Sequence, residues 1–410
     1  MKITPVRGTH DFFGQQVLKY RAIQDMISHY SKIYNFEEII TPIFESTDLF
    51  KKPLGENSDV VLKEMYTFKD KNEDLLTLRP EYTTPMIRSA ISNNLLEKLP
   101  TKLYGIGPMF RRERPQKGRY RQFNQINFEI LGTHDISSDI ELIILANNFL
   151  QNLLPEKKIN LFINSLGDKD TLSKFNASLS KYFKEKKEKL TQESQNKIIS
   201  NPIRILDSKD PMDVEITLNA PKISNFYSDE AKEKFSNIQK ILKDMSIDFS
   251  INTNLVRGLD YYCHTVFEFK TLDLGSQDTL IGGGRYDGLT KLLGGPDIPG
   301  VGWAGGIERL IMLMDDIKSL QKTIHLITIN ESFREYGLNV ANQLRRKNIN
   351  IHFDYKYNLK KSLSYASKLG ARYAIIIGEE EVQKNLCTLK DLNRNIQEKK
   401  TIENIIKDLS

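Results

Sequence analysis

The segment 103–132 contains the side chains of this chain that are best suited to binding a small anionic ligand. Residues 123–131 alternate in polarity, which predicts a strand with Gln125 and Glu129 on one face and apolar side chains on the other. The loop before this strand contains one acid, Glu113, and six basic residues within eleven positions: Arg111, Arg112, Arg114, Lys117, Arg119 and Arg121. Guanidinium groups at the mouth of a hairpin, above an amide and a carboxylate, suit a phosphate next to a small polar ligand. A charged hairpin tip without a ligand is the alternative, and the polar strand face argues against it.

A second candidate region is the segment LLTLRPEYTTP, residues 75–85. It predicts a buried strand that runs into a helix, with Thr84 as the cap and Pro85 in the first turn. Glu81 and Thr83 then lie on the tight turn, where their side chains point into a cleft. From the residues alone, a plain helix entry without a ligand is equally compatible with this pattern.

Two further arginines occupy positions that an anion would stabilise. Arg257 leads into an apolar strand, where burying a guanidinium without an anion is costly. Arg309 falls in the first turn of a helix that follows a glycine-rich strand, and a cation there opposes the helix dipole by roughly 0.3–1 kcal/mol. The glycines at 282–284 lack the Gly-Lys-Ser/Thr ending of a phosphate loop. We expect them to let the backbone approach a ligand.

Length and composition limit the class of protein. A chain of 410 residues with 39% hydrophobic and 27% charged residues predicts two or three soluble globular domains. No apolar run approaches the roughly 20 residues that span a bilayer, and no signal pattern begins the chain, so we expect a cytoplasmic protein without a membrane partner. Cys263 and Cys387 are too few for a disulfide framework and have no metal-ligand spacing, so no protein-bound metal, zinc included, is expected.

The remaining pattern predicts alternating helices and strands. An amphipathic helix at 15–34 precedes a strand at 38–44, which Pro42 should confine to a sheet edge or to a contact with another subunit. A helix at 136–153 and a core strand at 159–165 follow. From about 168 to 250 the sequence predicts a mainly helical insertion with its own small core. Its lysine-rich helices are either solvated faces or a surface near RNA.

The C-terminal region, residues 323–410, alternates strands with helices, which predicts a parallel or mixed sheet covered by helices. It contains 15 basic and 10 acidic residues, so its net charge of +5 accounts for nearly all of the chain's +6. A small basic domain after a complete core fits RNA binding. The mild overall charge permits a polyanionic partner without requiring one.

These segments resemble class II aminoacyl-tRNA synthetases in the form seen in the histidyl-tRNA synthetase family. The helix with the Pro42 strand resembles motif 1, the segment 103–132 motif 2, and GVGWAGGIERLIMLM at 300–314 motif 3. Two stretches match histidine-specific signatures: RGLDYY at 257–262 and GGRYD at 283–287. Cys263 and His264 depart from the family's pattern, and we interpret them as neutral variation.

The resemblance implies an α+β fold: a class II catalytic core at 1–320 with a mixed antiparallel sheet and helices, the helical insertion, and an anticodon-binding α/β domain at 323–410. It implies an ATP-dependent histidine–tRNA ligase that forms histidyl-adenylate and pyrophosphate, then transfers histidine to the 3′ end of tRNA-His. The expected partners are L-histidine, ATP with Mg²⁺, tRNA-His and a second copy of the chain in a homodimer.

The resemblance also implies roles for individual residues. The catalytic residues are Arg111, Arg257 and Arg309, of which the first two contact the α-phosphate region and the third the γ-phosphate. The histidine-binding residues are Glu81, Thr83, Gln125, Glu129, Tyr261, Tyr262 and Tyr286, with Glu129 and Tyr262 reading the imidazole. The loop for ATP and the tRNA acceptor end contributes Glu113, Arg114, Gln116 and Arg119.

Two other functions are compatible with parts of this sequence pattern. A non-catalytic paralogue that binds histidine and regulates ATP phosphoribosyltransferase would typically lack the C-terminal domain and lose some of the three arginines. This chain keeps both features. A purely structural RNA-binding protein would leave Gln125 and Glu129 on the strand face unexplained.

Overall fold

A computed structural model describes residues 3–55, 58, 60–275, 278–317 and 323–409 of the chain. The chain divides into two compact units, Met1–Asp316 and Ile317–Ser410. Among the described residues, none of the helices combines the length and the hydrophobicity needed to cross a bilayer.

The N-terminal unit alternates strands and helices. Its first half contains α1 (Gln15–Ile33), β1 (Glu37–Glu38), β2 (Phe44–Ser46), α2 (Asp48–Leu54), β3 (Tyr66–Lys69), β4 (Leu75–Leu78), α3 (Thr83–Ser92), β5 (Thr101–Phe110), β6 (Gln122–Leu131), α4 (Ser137–Leu153) and β7 (Asn160–Ser165). Its second half contains α5 (Lys169–Glu185), α6 (Gln192–Ser200), α7 (Pro211–Thr217), α8 (Asp229–Asp244), β8 (Phe249–Ile251), β9 (Cys263–Lys270), β10 (Thr279–Arg285), α9 (Leu289–Leu292), β11 (Gly300–Gly306) and α10 (Ile307–Leu313).

Among the described residues, eight strands form a large sheet in the order β1-β5-β6-β11-β10-β9-β7-β8. The strands from β5 to β7 are antiparallel to their neighbours, whereas β1 pairs parallel with β5 and β8 pairs parallel with β7. β5 and β6 are the predicted hairpin, paired from Thr101 opposite Leu131 to Phe110 opposite Gln122. This mixed sheet with helices confirms the predicted α+β class.

Helices cover one face of the large sheet. Residues of α1, α4, α8 and α10 pack in a core around Phe128 and Trp303, whose rings lie 4.9 Å apart. Burying one such Phe side chain contributes about 1.5–3 kcal/mol. Because side chains alternate along a strand, placing Phe128 in this core directs Gln125 and Glu129 to the opposite face. The candidate site lies on that face.

The predicted strand at 38–44 is wrong in its extent. The chain instead forms β1 in the large sheet and β2 in a three-stranded sheet, β2-β4-β3, at whose edge β2 lies. Between the two strands, the carbonyl oxygens of Thr41 and Pro42 accept hydrogen bonds from Arg79 Nη1 at 2.9 and 3.4 Å. Proline cannot donate to a strand ladder, so the chain changes sheets at this point. Both β1 and β2 lie at sheet edges, as Pro42 predicted.

The predicted insertion is helical, but its C-terminal part belongs to the large sheet. Phe175, Leu179 and Ile205 are buried in a separate apolar cluster with residues from α5, α6 and the short turns around them. The helix α8, in contrast, buries Ile238 in the main core, and β8 forms the edge of the large sheet. Leu255, Val256 and Val266, which follow α8 in the chain, also belong to this separate core, whereas α8 itself packs its amphipathic face on the main sheet.

The C-terminal unit contains β12 (Ile324–Thr328), α11 (Arg334–Arg345), β13 (Ile351–Phe353), α12 (Leu359–Lys368), β14 (Tyr373–Ile377), α13 (Glu379–Lys384), β15 (Cys387–Asp391), β16 (Ile396–Lys400) and α14 (Ile402–Leu409). Its described strands have the order β13-β12-β14-β15-β16, parallel from β13 to β14 and antiparallel beyond. The sheet is mixed, one of the two predicted alternatives. The helix α13 and the strand β16 were not predicted from the sequence.

Candidate active site

Three arginines that are far apart in the sequence line one cavity of about 400 Å³. Arg111 follows β5, Arg257 belongs to the loop before β9, and Arg309 lies in the first turn of α10. Gln125 of β6 lines the same cavity, and its buried Oε1 has no hydrogen-bond partner among the described residues. The cavity thus offers these three cations and one unpaired amide oxygen to a ligand, next to Arg119, Lys209 and the acids Glu113, Asp207 and Glu308.

Arg111 is positioned by the turn before α3 and by the neighbouring hairpin strand. Its Nε donates a hydrogen bond of 2.8 Å to the carbonyl oxygen of Pro80. Its guanidinium carbon lies 5.5 Å from the centre of the Phe123 ring. Glu113 lies 4.0 Å from Arg111 Nη1, and the charge of Arg111 also acts on the buried carboxylate of Glu81.

Arg309 is anchored by two backbone carbonyl groups. Its Nε donates to Gly118 at 3.0 Å and its Nη1 to Thr279 at 2.6 Å. Burial, followed by repulsion from Arg119 and Arg111, lowers the pKa of the Arg309 guanidinium. Because like charges oppose each other here, an anion bound between them would be stabilised. This electrostatic pattern suits a polyphosphate.

Arg257 packs against the sheet and pairs with an acid. Its Nη1 forms an ion pair with Glu268 of β9, and its side chain is 18% exposed. Lys270 Nζ lies 2.9 Å from the other oxygen of Glu268, so one carboxylate faces two cations. Burial lowers the pKa of Arg257 and the Glu268 carboxylate raises it, with a net upward shift. The Arg257 guanidinium therefore stays charged at the cavity wall.

The three consecutive glycines of β10 serve protein packing more than the predicted approach to a ligand. A Cβ at Gly282 would overlap the Arg257 guanidinium, and one at Gly283 would overlap the backbone of β11. A Cβ at Gly284 would overlap the carbonyl oxygen of Thr265. Only Gly282 of the three lines the cavity.

Next to the cavity, Glu129 is the centre of a buried polar cluster. The Thr83 hydroxyl donates to Glu129 Oε1 at 2.7 Å, and the Asn127 amide donates to the same oxygen at 3.2 Å. The Tyr286 hydroxyl donates to Glu129 Oε2. Burial outweighs these hydrogen bonds and raises the pKa of Glu129 to about 7. The cluster unites Thr83, Glu129 and Tyr286, which were predicted from three separate segments.

Glu81 stabilises the start of α3. Its carboxylate accepts hydrogen bonds from the backbone N–H groups of Thr83 and Thr84 at 2.8 and 2.9 Å, and from the Thr84 hydroxyl. The predicted capping role of Thr84 is therefore wrong, because the Thr84 hydroxyl donates to Glu81 and does not accept from the helix. Burial raises the pKa of Glu81 despite these hydrogen bonds.

Tyr261 and Tyr262 connect the arginine cavity to this polar cluster. The Tyr262 ring centre lies 5.6 Å from the guanidinium carbon of Arg257 and 4.7 Å from the Tyr261 ring. The Tyr261 ring in turn lies 5.6 Å from the ring of Tyr286, edge to face. Burial raises the pKa of each of these phenols, so all three remain neutral hydrogen-bonding groups.

The four predicted residues of the hairpin loop separate into two pairs. Glu113 and Arg119 line the cavity and form an ion pair with each other. Arg114 and Gln116 are exposed and lie outside the cavity lining. The structure therefore unites the first pair with the three arginines and leaves the second pair facing solvent.

Several residues of the site were missed. Asn127 joins Thr83 to Glu129, and its position on the polar face of β6 was the available signal. Glu308 lines the cavity and accepts hydrogen bonds from Asn124, and burial raises the pKa of Glu308 to about 7. Asp207 and Lys209 of the insertion also line the cavity, and no sequence pattern pointed to them.

The fold brings together a group that the sequence spacing did not suggest. Ligand atoms of Cys263, His264 and Asp287 lie within 4.8 Å of one another. The strand register shifts beside Cys263, and His264 has a φ of 46°, so the side chains of these two residues do not follow the simple alternation of a regular strand. His264 and Asp287 line a small cavity together with Lys234 and Arg285, whose positive charges oppose the binding of a divalent cation there.

The chain is similar to known proteins along its whole length. The family model described as histidyl-tRNA synthetase matches residues 8–310, and the one described as anticodon binding domain matches residues 323–410. The histidine–tRNA ligase of Wolbachia pipientis subsp. Culex pipiens is 43% identical over 98% of this chain and 99% of its own length. The histidine–tRNA ligase of Gluconobacter oxydans is 40% identical over 100% and 98%. The crystal structure of apo S. aureus histidyl-tRNA synthetase has a TM-score of 0.82 and 32% identity, with 100% of both chains covered.

Proposed function

The chain belongs to the histidyl-tRNA synthetase family and is an aminoacyl-tRNA synthetase, and from this premise we propose that it activates L-histidine with ATP and transfers it to tRNA-His. The observation that supports this most is the convergence of Arg111, Arg257 and Arg309 on one cavity. The buried cluster around Glu129 lies on the same sheet face.

The first chemical step joins two anions. The histidine carboxylate attacks the α-phosphorus of ATP, and negative charge develops on the phosphate oxygens as pyrophosphate leaves. Preorganised cations stabilise such charge and position the reactants in line. In this proposal Arg111 and Arg257 contact the α-phosphate and carboxylate, and Arg309 contacts the γ-phosphate. Magnesium enters bound to the outer phosphates of ATP, as part of the substrate.

Histidine lies on the polar face of β6 in this proposal. Glu81, Thr83 and Gln125 bind its amino group, for which the unpaired Oε1 of Gln125 is a suitable acceptor. Glu129 accepts a hydrogen bond from the imidazole ring. The three tyrosines that surround Glu129 enclose the ring: Tyr261, Tyr262 and Tyr286.

The second step needs tRNA. The exposed Arg114 and Gln116 on the hairpin loop are available to the acceptor end, and Glu113 and Arg119 form the wall that ATP and this end share. The proposed anticodon-binding domain is residues 323–410. Its net charge of +5 suits binding to the phosphates of the anticodon region. The catalytic core of the proposal is 1–320, with the insertion at about 168–250.

A homodimer in the cytoplasm completes the proposal. Phe44 of β2 and Phe68 of β3 lie on the same face of the three-stranded sheet and are 54% and 44% exposed. Ile40, in the segment that resembles motif 1, is 78% exposed. Apolar surface of this kind commonly marks an interface. Light scattering on the purified protein should give the mass of two chains.

The regulatory paralogue is the weaker alternative. A structure described as an ATP phosphoribosyltransferase regulatory subunit/histidyl-tRNA synthetase from Bacillus halodurans has a TM-score of 0.66 at 17% identity, a likeness of fold alone. Residues 323–410 and the set Arg111, Arg257 and Arg309 are all present in this chain.

Exchange of labelled pyrophosphate into ATP, measured with each of the twenty amino acids, tests the proposed function. We expect exchange with histidine only, followed by histidine attachment to tRNA-His in a second assay. Histidine binding without exchange would support the regulatory paralogue instead.

A further inference from the structure

The loop that contains Arg257 is attached to the insertion at its N-terminal side. Leu255 and Val256 are each 4% exposed and pack in the separate core of the insertion, with Phe175 and Ile205 among its members. Arg257 follows directly in the chain. Its backbone position therefore depends on the packing of the insertion.

Two side chains of the insertion bind the same loop by hydrogen bonds. Arg204 Nη1 donates to the carbonyl oxygen of Arg257 at 2.7 Å. The Arg204 guanidinium also lies close to Gly258. A Cβ added to Gly258 would be 3.7 Å from Arg204 Nη1 and 3.8 Å from Arg204 Nη2. Asn201 Nδ2 donates to Asp260 Oδ1 at 2.8 Å. The loop is thus bound to the insertion on both sides of Gly258.

The side chain of Arg257 points the other way, to the large sheet. It pairs with Glu268 on β9 and lies over Gly282 on β10, at the wall of the arginine cavity. One residue therefore has its carbonyl group fixed by the insertion and its guanidinium fixed by the sheet. A hydrogen bond to a charged group is typically stronger than a neutral one, so Arg204 restrains this carbonyl group effectively.

We propose that Arg204, supported by Asn201, is a positioning residue through which the insertion sets the place of the Arg257 guanidinium for the activation step. This inference rests on the proposed function of Arg257. It gives the insertion a role in amino-acid activation that is separate from any contact with RNA. Geometry matters because a displacement of about 1 Å at a reacting centre can cost about 10²-fold in rate.

Steady-state pyrophosphate exchange by the full-length protein tests the proposal. Arg204→Ala should lower kcat about tenfold or more, with the KM values for histidine and ATP within threefold of wild type. Arg204→Lys keeps a charge and a donor and should recover part of the loss. Lys181→Ala is the control: Lys181 is an exposed cation on α5, and this variant should match wild type.

If Arg204→Ala fails to fold, as judged by thermal unfolding, Asn201→Ala tests the second hydrogen bond. The expected loss in kcat is about threefold.

A double-mutant cycle distinguishes positioning from general structural support. In an Arg257→Ala background, adding Arg204→Ala should change kcat less than twofold, because the group that Arg204 positions is absent. Multiplicative losses would overturn the proposal, as would an Arg204→Ala variant indistinguishable from Lys181→Ala. Absence of histidine-dependent exchange in wild type would instead overturn the proposed function itself.

Discussion

The carboxylate of Glu129 occupies the space that a side chain at position 302 would need. The two residues lie opposite each other in the register of β6 and β11, and a Cβ at Gly302 would overlap Glu129 Oε2. A Cβ at Gly300 would likewise overlap the ring of Tyr286. The glycines of the predicted motif 3 therefore leave room for two members of the buried polar cluster.

Gly302→Ala should displace Glu129 and impair histidine activation. We expect kcat/KM for histidine to fall about 10²-fold, because a shift of the Glu129 carboxylate by about an ångström would misplace the bound histidine. The KM for ATP should stay within threefold. Pyrophosphate exchange with varied histidine and ATP measures both. A Gly302→Ala variant with a wild-type kcat/KM for histidine would contradict this relation.

Glu129→Gln should weaken histidine recognition selectively. A carboxylate accepts a hydrogen bond from either imidazole nitrogen that bears a proton, and a site built around such a bond discriminates strongly against its loss. We expect the histidine KM to rise at least tenfold and the ATP KM to change little. Glu97→Gln, at an exposed position, serves as the control. Equal increases in both KM values would indicate that Glu129 is only structural.

Some candidate residues could be selected from the sequence because their types were unusual for their places, whereas Tyr261, Tyr262 and Tyr286 came only from the family resemblance. Gln125 and Glu129 stood out on a strand face, and Arg309 stood out at a helix start. The capping of α3 by Glu81 could not be predicted, because Thr84 is an equally suitable capping residue by its position in the sequence. Local rules cannot choose between two such acceptors when tertiary packing decides which one is buried.

Glu308→Gln should alter the pH dependence of stability. The pKa of Glu308 is raised from 4.5 to about 7 in the folded chain, so the folded state binds the additional proton between these values. Its contribution to the free energy of unfolding is full below about pH 4.5 and is lost as pH rises through 7. Relative to wild type, Glu308→Gln should gain about 3 kcal/mol between pH 4.5 and 8.

Denaturant unfolding of both proteins at several pH values measures this difference. Glu129 has a similarly raised pKa and is present in both proteins, so its contribution cancels. A difference between Glu308→Gln and wild type that does not vary with pH would contradict the assignment of a buried, protonated carboxyl group to Glu308.

Truncation after Asp316 should separate the two chemical steps. The proposed ATP and histidine residues all precede residue 310, whereas the excess positive charge follows residue 322. We expect pyrophosphate exchange to remain within threefold of the full-length chain and tRNA charging to fall at least 10²-fold, because phosphate contacts are lost. Light scattering checks that the truncated chain keeps its oligomeric state. A proportional fall in both activities would show that the C-terminal unit is needed for catalysis itself.

The contribution of the insertion could not be predicted from the sequence. Asp207 and Lys209 reach the cavity, and Arg204 reaches the carbonyl group of Arg257, only through tertiary packing. Their local pattern, a proline-interrupted run of short helices, resembles any surface segment. In contrast, the strand–helix order of 323–410 follows directly from hydrophobic periodicity, except at α13, which has no buried residue, and at β16, whose polar sequence is largely exposed.

The rate of histidine-dependent pyrophosphate exchange by Arg257→Ala, at saturating histidine and ATP, tests the central claim most directly. Loss of one group that stabilises developing charge commonly costs about 10²–10³ in rate, so the account predicts a fall of this size with histidine binding intact. His264→Ala, seven residues along the same segment, should exchange near the wild-type rate. Wild-type exchange by Arg257→Ala, or an equal loss in His264→Ala, would contradict the assignment of Arg257 to the reacting phosphate.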